Sequence, residues 1–320
     1  MAGNKRFLFS NLKTSTREGF AGYFFILPNL TGFLAFTSLP VLASLVLSFC
    51  HWDILTPAKF AGIDNFVKLI GFHSEAGKWI ANDPLFWKYT WNTIFIMAAI
   101  PIGMFGSLML AMIMNQKLKG MVFFRTIFFL PSICAGVAIC LLWRWIYNPD
   151  FGLINSFIAK VGDVTHLPLR GPDWLSSTTW AKPALMIMGL WAAIGGRNMI
   201  LYLAALNGIP KTLYEAAEID GANGWHKFWA ITFPLISPTT FFISIMSVIG
   251  GFQAGFMQAY IMTGGGPAGA TTTINYYIYN NAYQWFKMGY ASSIAWVLFI
   301  IILGVTMINW RYGGRVVNYD

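Results

Sequence analysis

Charge is what this sequence has least of. Only 10% of its 320 residues are Asp, Glu, Lys or Arg, against 57% from the apolar AVILMFWYC set. Soluble chains carry about 25% charged residues, so this chain has too few to cover a soluble globule. Disorder is excluded as well, because it needs low hydrophobicity and high charge. Cysteine is also scarce, and Cys50, Cys134 and Cys140 have neither disulfide-framework nor metal-ligand spacing. The histidines His51, His73, His166 and His226 are scattered, and none forms H-x-x-x-H, so no metal is expected. No G-x-S-x-G and no carboxylate pair falls inside an apolar stretch, so the chain is not expected to be an enzyme. The Asp/Glu relay common in proton-coupled pumps is missing from the apolar stretches too. The start of the chain lacks a short apolar core followed by a small-residue cleavage site, so no cleaved signal is expected.

One string imitates a nucleotide motif. Gly264-Gly265-Gly266-Pro267-Ala268-Gly269 matches G-x-G-x-x-G by letter. That fingerprint needs a preceding strand and a following helix. Here it follows a long apolar run, and Ala270-Thr271 stands where a P-loop needs Lys. The string is expected to be a turn, with no nucleotide and no other cofactor. The net charge of +9 is spread between apolar runs, which argues against nucleic acid.

What is present is membrane-spanning sequence. A spanning helix needs about 20 mostly apolar residues. The charge-free stretches predict six helices, at 22–49, 92–114, 122–146, 183–206, 234–262 and 290–310. The segment after Thr263 is rich in Gly, Thr, Asn and Tyr and reads as a loop. Six spans put both termini on one face. That face carries 11 Lys and Arg in 67 residues, against 8 in 105 on the other. The terminal face is therefore expected to be cytoplasmic. The expected architecture is an all-α, polytopic protein in the lipid bilayer. A cytoplasmic segment, 1–20, precedes a single six-helix domain, 21–320.

The cytoplasmic loop 207–232 is the most informative segment. Pro210 stops the preceding span. Thr212 and Glu215 stand in T-x-x-E spacing, which predicts a capping box. Leu213, Ala216 and Ala217 give a short helix one face of apolar, mostly small groups, and Gly221 can end it in the left-handed conformation. A second helical stretch follows from about Asn223 to Pro234. Glu215 serves either as a cap only or as part of a docking surface, and Gly221 either as a turn only or as part of that surface. Small side chains let another backbone approach closely, which suits docking into a groove on a cytoplasmic partner.

Glu215-Ala216-Ala217, three residues, Gly221, nine residues, then Ile231-Thr232-Phe233-Pro234 resembles the E-A-A loop of ABC importer permeases. Phe233 replaces the family's usual Leu. The resemblance continues through Asn92-Thr93, Phe124-Arg125 to Leu130-Pro131, and Trp143 to Asn155. Thr263-Gly-Gly-Gly-Pro267, Met288-Gly289-Tyr290-Ala291-Ser292 and Ala295-Trp296 extend it. These stretches look like the carbohydrate-uptake subgroup, of the maltose and glycerol-phosphate type. The resemblance implies a bacterial or archaeal inner-membrane permease that moves a sugar or related polyol. It implies a second homologous permease, two cytoplasmic ATPase subunits and an extracytoplasmic solute-binding protein. It makes Glu215, Ala216, Ala217 and Gly221 the coupling-helix positions.

Candidate ligand residues interrupt the two spans flanking that loop. They are Trp191, Arg197 and Asn198 in the fourth, and Ser247, Phe252, Gln253 and Gln258 in the fifth. Aromatic faces stack on sugar C–H surfaces while amides bind hydroxyls. Small residues nearby serve helix packing equally well. Arg197 has three readings: binding an anionic solute, pairing with a carboxylate of the second permease, or snorkelling to the interface. A stand-alone secondary carrier is the alternative function, and it would need its own coupling-ion site.

Overall fold

The computed structural model describes residues 14–75, 77–116 and 119–314. Residues 1–13 of the expected N-terminal segment lie outside the described residues. Among the described residues, five helices are long and apolar enough to cross a membrane. They cover Glu18–Ser48 (α1), Pro84–Met114 (α3), Ala181–Asn207, Gly224–Thr263 and Met288–Arg311. The remaining expected span, the third, 122–146, is not one straight helix. It is Met121–Ile133 (α4) and Gly136–Ile146 (α5), bent by 100° at the break between them.

Two more spans are interrupted. Ala181–Asn207 divides at Gly195-Gly196 into Ala181–Ile194 (α7) and Arg197–Asn207 (α8). The stretch 234–262 divides at Ala254-Gly255, where α10 (Phe233–Gln253) gives way to a further turn of helix, α11 (256–263). Breaks inside a membrane are tolerated where neighbours satisfy the freed backbone groups. The Ser107 hydroxyl, for example, donates to the Ala193 carbonyl at 3.1 Å, beside the first of these breaks.

The loops hold more structure than their composition suggests. Asp64–Ile70 (α2), Leu153–Thr165 (α6) and Ile274–Tyr279 (α12) are short helices. Two short antiparallel hairpins, Cys50–His51 with Lys59–Phe60 and Phe72–Glu75 with Lys78–Ala81, qualify the all-α expectation. The Gly264–Gly269 run is a turn, with positive φ at Gly264, Gly265 and Gly269. Asn92 and Thr93 pin the segment after it. The Asn92 amide donates to the carbonyls of Gly269 and Thr272 at 2.9 and 3.0 Å, and the Ile274 N–H donates to the Thr93 hydroxyl at 3.0 Å. Arg125 donates to the Met114 carbonyl at 2.6 Å and joins α4 to α3.

Three apolar clusters hold the bundle. Leu108, Ala111, Tyr202, Leu206, Ile236 and Ile243 unite α3, α8 and α10. Phe86, Phe252, Ile274, Tyr277, Ile294 and Leu298 unite α3, α10, α12 and α13 (Met288–Gly313). Cys140, Trp143, Tyr147, Trp174 and Leu185 join α5 to α7. A buried carboxylate reinforces the second cluster. Asp83 caps α3 through the Leu85 and Phe86 N–H groups at 3.0 and 3.2 Å, and it also accepts from the Tyr277 and Tyr290 hydroxyls. By contrast α1 has no buried residue over 21–47.

Candidate functional site

Two sites follow from this frame: a mainly apolar cavity with a few polar side chains among the broken helices, and the exposed loop between α8 and α10.

The cavity, about 910 Å³, lies between α4, α8 and α10. Arg197, Asn198, Ser247 and Gln253 line it, so four of the expected pathway residues converge. Their convergence is a matter of helical phase. Ile243, Ser247, Gly250 and Gln253 are spaced at three and four residues and share one face of α10. The break before Arg197 turns the first residues of α8 toward that face. Gly195 fixes the break by close approach: a Cβ there would lie 2.2 Å from the Phe128 carbonyl oxygen of α4. Asn198 and Ser247 also line a smaller cavity of about 170 Å³, together with Gln258.

The other two expected residues are elsewhere. Phe252 is buried in the cluster with Phe86 and Ile294, on the opposite side of α10. The three- and four-residue spacing that groups Ser247 with Gln253 already excludes it from that face. Trp191 packs edge-on against Trp143 at 5.6 Å and is not part of the cavity wall. Sequence reasoning missed Ser132 of α4, which lines the cavity with Phe129. Its signal was a hydroxyl in the apolar second half of α4, beside Pro131.

Arg197 is solvent-exposed in this chain, and no carboxylate lines the cavity with it. Among the described residues the ion pairs are His51–Asp64, His73–Glu75 and Lys227–Glu218, all distant in sequence from Arg197. No group of His, Cys, Asp and Glu able to hold a metal occurs among the described residues.

The loop between α8 and α10 carries the helix α9 (Lys211–Ile219). Pro210 is its N-cap residue, with extended backbone and no side-chain cap. The capping box expected from Thr212 and Glu215 does not form, because the helix starts two residues too early, at Lys211, and Thr212 lies inside it. The C-terminal end is as expected. Gly221 has φ +76°, its N–H donates to the Glu218 carbonyl at 3.1 Å, and the Ala222 N–H donates to the Ala217 carbonyl at 2.8 Å. That pair of bonds is the Schellman cap. Two contacts hold α9 against the following stretch: Lys227 to Glu218 at 2.7 Å, and the Tyr214 hydroxyl with that of Thr232 at 2.8 Å. Its outer side stays uncovered. Glu215, Ala216 and Gly221 are exposed, Ala217 is half-buried, and Leu213 and Ile219 are 42% and 87% exposed.

The family described as binding-protein-dependent transport system inner membrane component matches residues 22–312. This chain belongs to that family. Similar proteins include a probable ABC transporter permease, YesP of Bacillus subtilis, 34% identical over all of this chain and 99% of its own length. The lactose transport system permease LacF of Rhizobium radiobacter is 34% identical over 92% of this chain and 94% of its own. The sn-glycerol-3-phosphate transport system permease UgpA of Yersinia enterocolitica is 32% identical over 96% and 100%. In fold, the permease is similar to a chain of a bacterial ABC transporter that imports the acidic polysaccharide alginate. That pair has a TM-score of 0.79, 23% identity and coverage of 95% and 98%. The permease is an inner-membrane transport component with several apolar helices, and not an enzyme.

Proposed function

We propose that this permease is one of two membrane subunits of an ATP-driven importer for a sugar or related polyol. The two cytoplasmic ATPase subunits, the second permease and an extracytoplasmic solute-binding protein complete it. The observation that carries the reading is α9: a short, Schellman-capped helix with an exposed Glu215-Ala216 face, projecting between two broken apolar helices. In this reading α9 sits in a groove of the ATPase, and Gly221 ends it at the contact. The loop 207–232 is cytoplasmic, as are both termini, and residues 21–320 form one domain after a 1–20 cytoplasmic segment. The bent pair α4–α5 then counts as the third of six spans.

The cavity lined by Arg197, Asn198, Ser247 and Gln253 is this subunit's half of the solute path. Amides, a hydroxyl and a guanidinium suit the oxygens of a polyol, and the apolar wall of Phe242, Ile243 and Met246 suits its C–H faces. Relatives named for lactose and for sn-glycerol-3-phosphate support the polyol class. Breaks at Gly195 and Gly255 give the path elements that two conformational states can share, and solute would move as ATP shifts their populations.

The experiment is reconstitution. Proteoliposomes holding the two permeases, the ATPase and the binding protein should accumulate radiolabelled sugar only with ATP. Omitting the ATPase should abolish uptake. Uptake by this chain alone would overturn the reading in favour of a stand-alone carrier.

A further inference from the structure

A second pocket shares no lining residue with the proposed solute path. It sits where α1 ends at Ser48 and α13 begins at Met288, the termini of two apolar helices packed side by side. Its volume is about 310 Å³. Lys59 comes from the first hairpin, Lys68 from α2, and Lys287 from the residue before α13, so three distant segments each bring one lysine to its wall.

None of the three lysines has a carboxylate within 4 Å among the described residues. The nearby acids are already engaged. Asp53, which also lines the pocket, accepts from the Thr56 N–H and hydroxyl at 2.8 and 2.7 Å, and those bonds hold its carboxyl below the usual range. Asp64 faces His51, another lining residue, at 3.8 Å. The balance on the pocket wall is three lysines against one aspartate.

The frame around these lysines is fixed. Buried Asn65 donates its amide to the carbonyls of Ser48 and Cys50, both at 2.9 Å. The Gly289 N–H donates to the Trp52 carbonyl at 3.3 Å, so the hairpin is held against the start of α13. The Lys68 ammonium lies 5.5 Å from the centre of the Tyr290 ring. Apolar side chains stand uncovered around the same region: Leu55 and Phe60 are 86% and 82% exposed, and Trp285 and Phe286 lie beside Lys287. Apolar and aromatic groups at the ends of spanning helices belong at headgroup depth. The faces of α1 just below the pocket, at Leu42 and Val46, are uncovered too.

We propose that this pocket binds the phosphate of an anionic phospholipid, whose acyl chains lie along α1. Unneutralised lysines beside spanning helices attract anionic headgroups, and each nearby cation adds severalfold to the affinity. A soluble anion would share the charge chemistry, but it would have no use for the uncovered Leu42 and Val46.

The test is lipid retention by the full-length chain in its assembled transporter. The complex is purified from nanodiscs of equal phosphatidylglycerol and phosphatidylcholine, delipidated in mild detergent, and weighed by native mass spectrometry. The wild type should retain phosphatidylglycerol selectively. The triple variant Lys59→Gln, Lys68→Gln, Lys287→Gln should lose that selectivity by about tenfold or more. The matching triple Lys→Arg variant should keep it, which separates charge from fold. Equal retention by wild type and the Gln variant overturns the proposal. So does protection of the stripped wild type from heat by inorganic phosphate to the same degree as by phosphatidylglycerol, which would assign the pocket to soluble phosphate. Loss of binding-protein association with lipid retention unchanged would assign it to an acidic protein surface, again overturning the proposal.

Discussion

Gly221 is where the coupling reading can be tested with the least ambiguity. Its φ of +76° is a conformation that costs an L-residue about 1–2 kcal/mol, and a β-branched residue more. A Cβ built there meets nothing within 4 Å, so a substitution is strained by the backbone alone and collides with nothing in this chain. The cap it completes has two hydrogen bonds, each contributing about 0.5–1.5 kcal/mol. Strain of about 2 kcal/mol is therefore comparable to the whole cap. It shifts the end of α9 toward an uncapped state roughly thirtyfold. The expected series is Gly221→Asn close to wild type, Gly221→Ala intermediate and Gly221→Val lowest, because Asn tolerates the left-handed region best. Gly224 is the control: its Cβ space is also open, it opens the next helix, and its φ is ordinary. The assay is binding-protein-stimulated ATP hydrolysis and sugar uptake in proteoliposomes, with complex yield and thermal midpoint measured in parallel. Coupling should fall along the series while the thermal midpoint moves little, since α9 has no buried residue. If Gly221→Val couples as wild type does, or Gly224→Ala loses as much, the cap does not transmit the coupling.

Three further outcomes are expected. Gly195→Ala must push α4 from α7, because its Cβ would stand 2.2 Å from the Phe128 oxygen, and should cost about 1–3 kcal/mol; Gly189→Ala, with open space at its Cβ, should leave the thermal midpoint unchanged. Asp83→Asn leaves one oxygen to serve two N–H groups and two tyrosine hydroxyls, and should lower stability by about 1–3 kcal/mol, more than Tyr277→Phe does. Arg197→Gln should reduce uptake by about tenfold or more at normal complex yield, since Arg197 lines the cavity without a carboxylate beside it. A fall in yield would instead identify a carboxylate of the second permease as its partner, and no change in either would leave only snorkelling.

Apolar run length made five long helices legible, because burying that much apolar surface in lipid admits little else. Run length does not record direction, however. Met121–Ile146 is apolar nearly throughout, yet α4 and α5 meet at 100°. The turn is made at Cys134 and Ala135, whose ψ angles of 145° and 130° leave the helical region, and Met257 packs close beside it, its sulfur 3.2 Å from where a Cβ at Gly136 would stand. The same distinction separates the site residues. Asn198, Ser247 and Gln253 stand out in the sequence because polar groups in apolar helices need partners or a cavity, and they line one. Phe252 was misjudged because its chemistry fits a sugar platform and a core equally, and only its phase on α10 decides between them. The C-terminal cap of α9 was legible from Gly221, since a left-handed residue is a local property of the backbone. The N-terminal cap was not, although its rule is also local. Pro210 is confined to φ near −65° and took up an extended ψ of 131°, so Lys211 could begin the helix before Thr212 reached the cap position. A sequence rule holds here where a single residue's own conformational limits decide the outcome, and it fails where two neighbours compete for the same position.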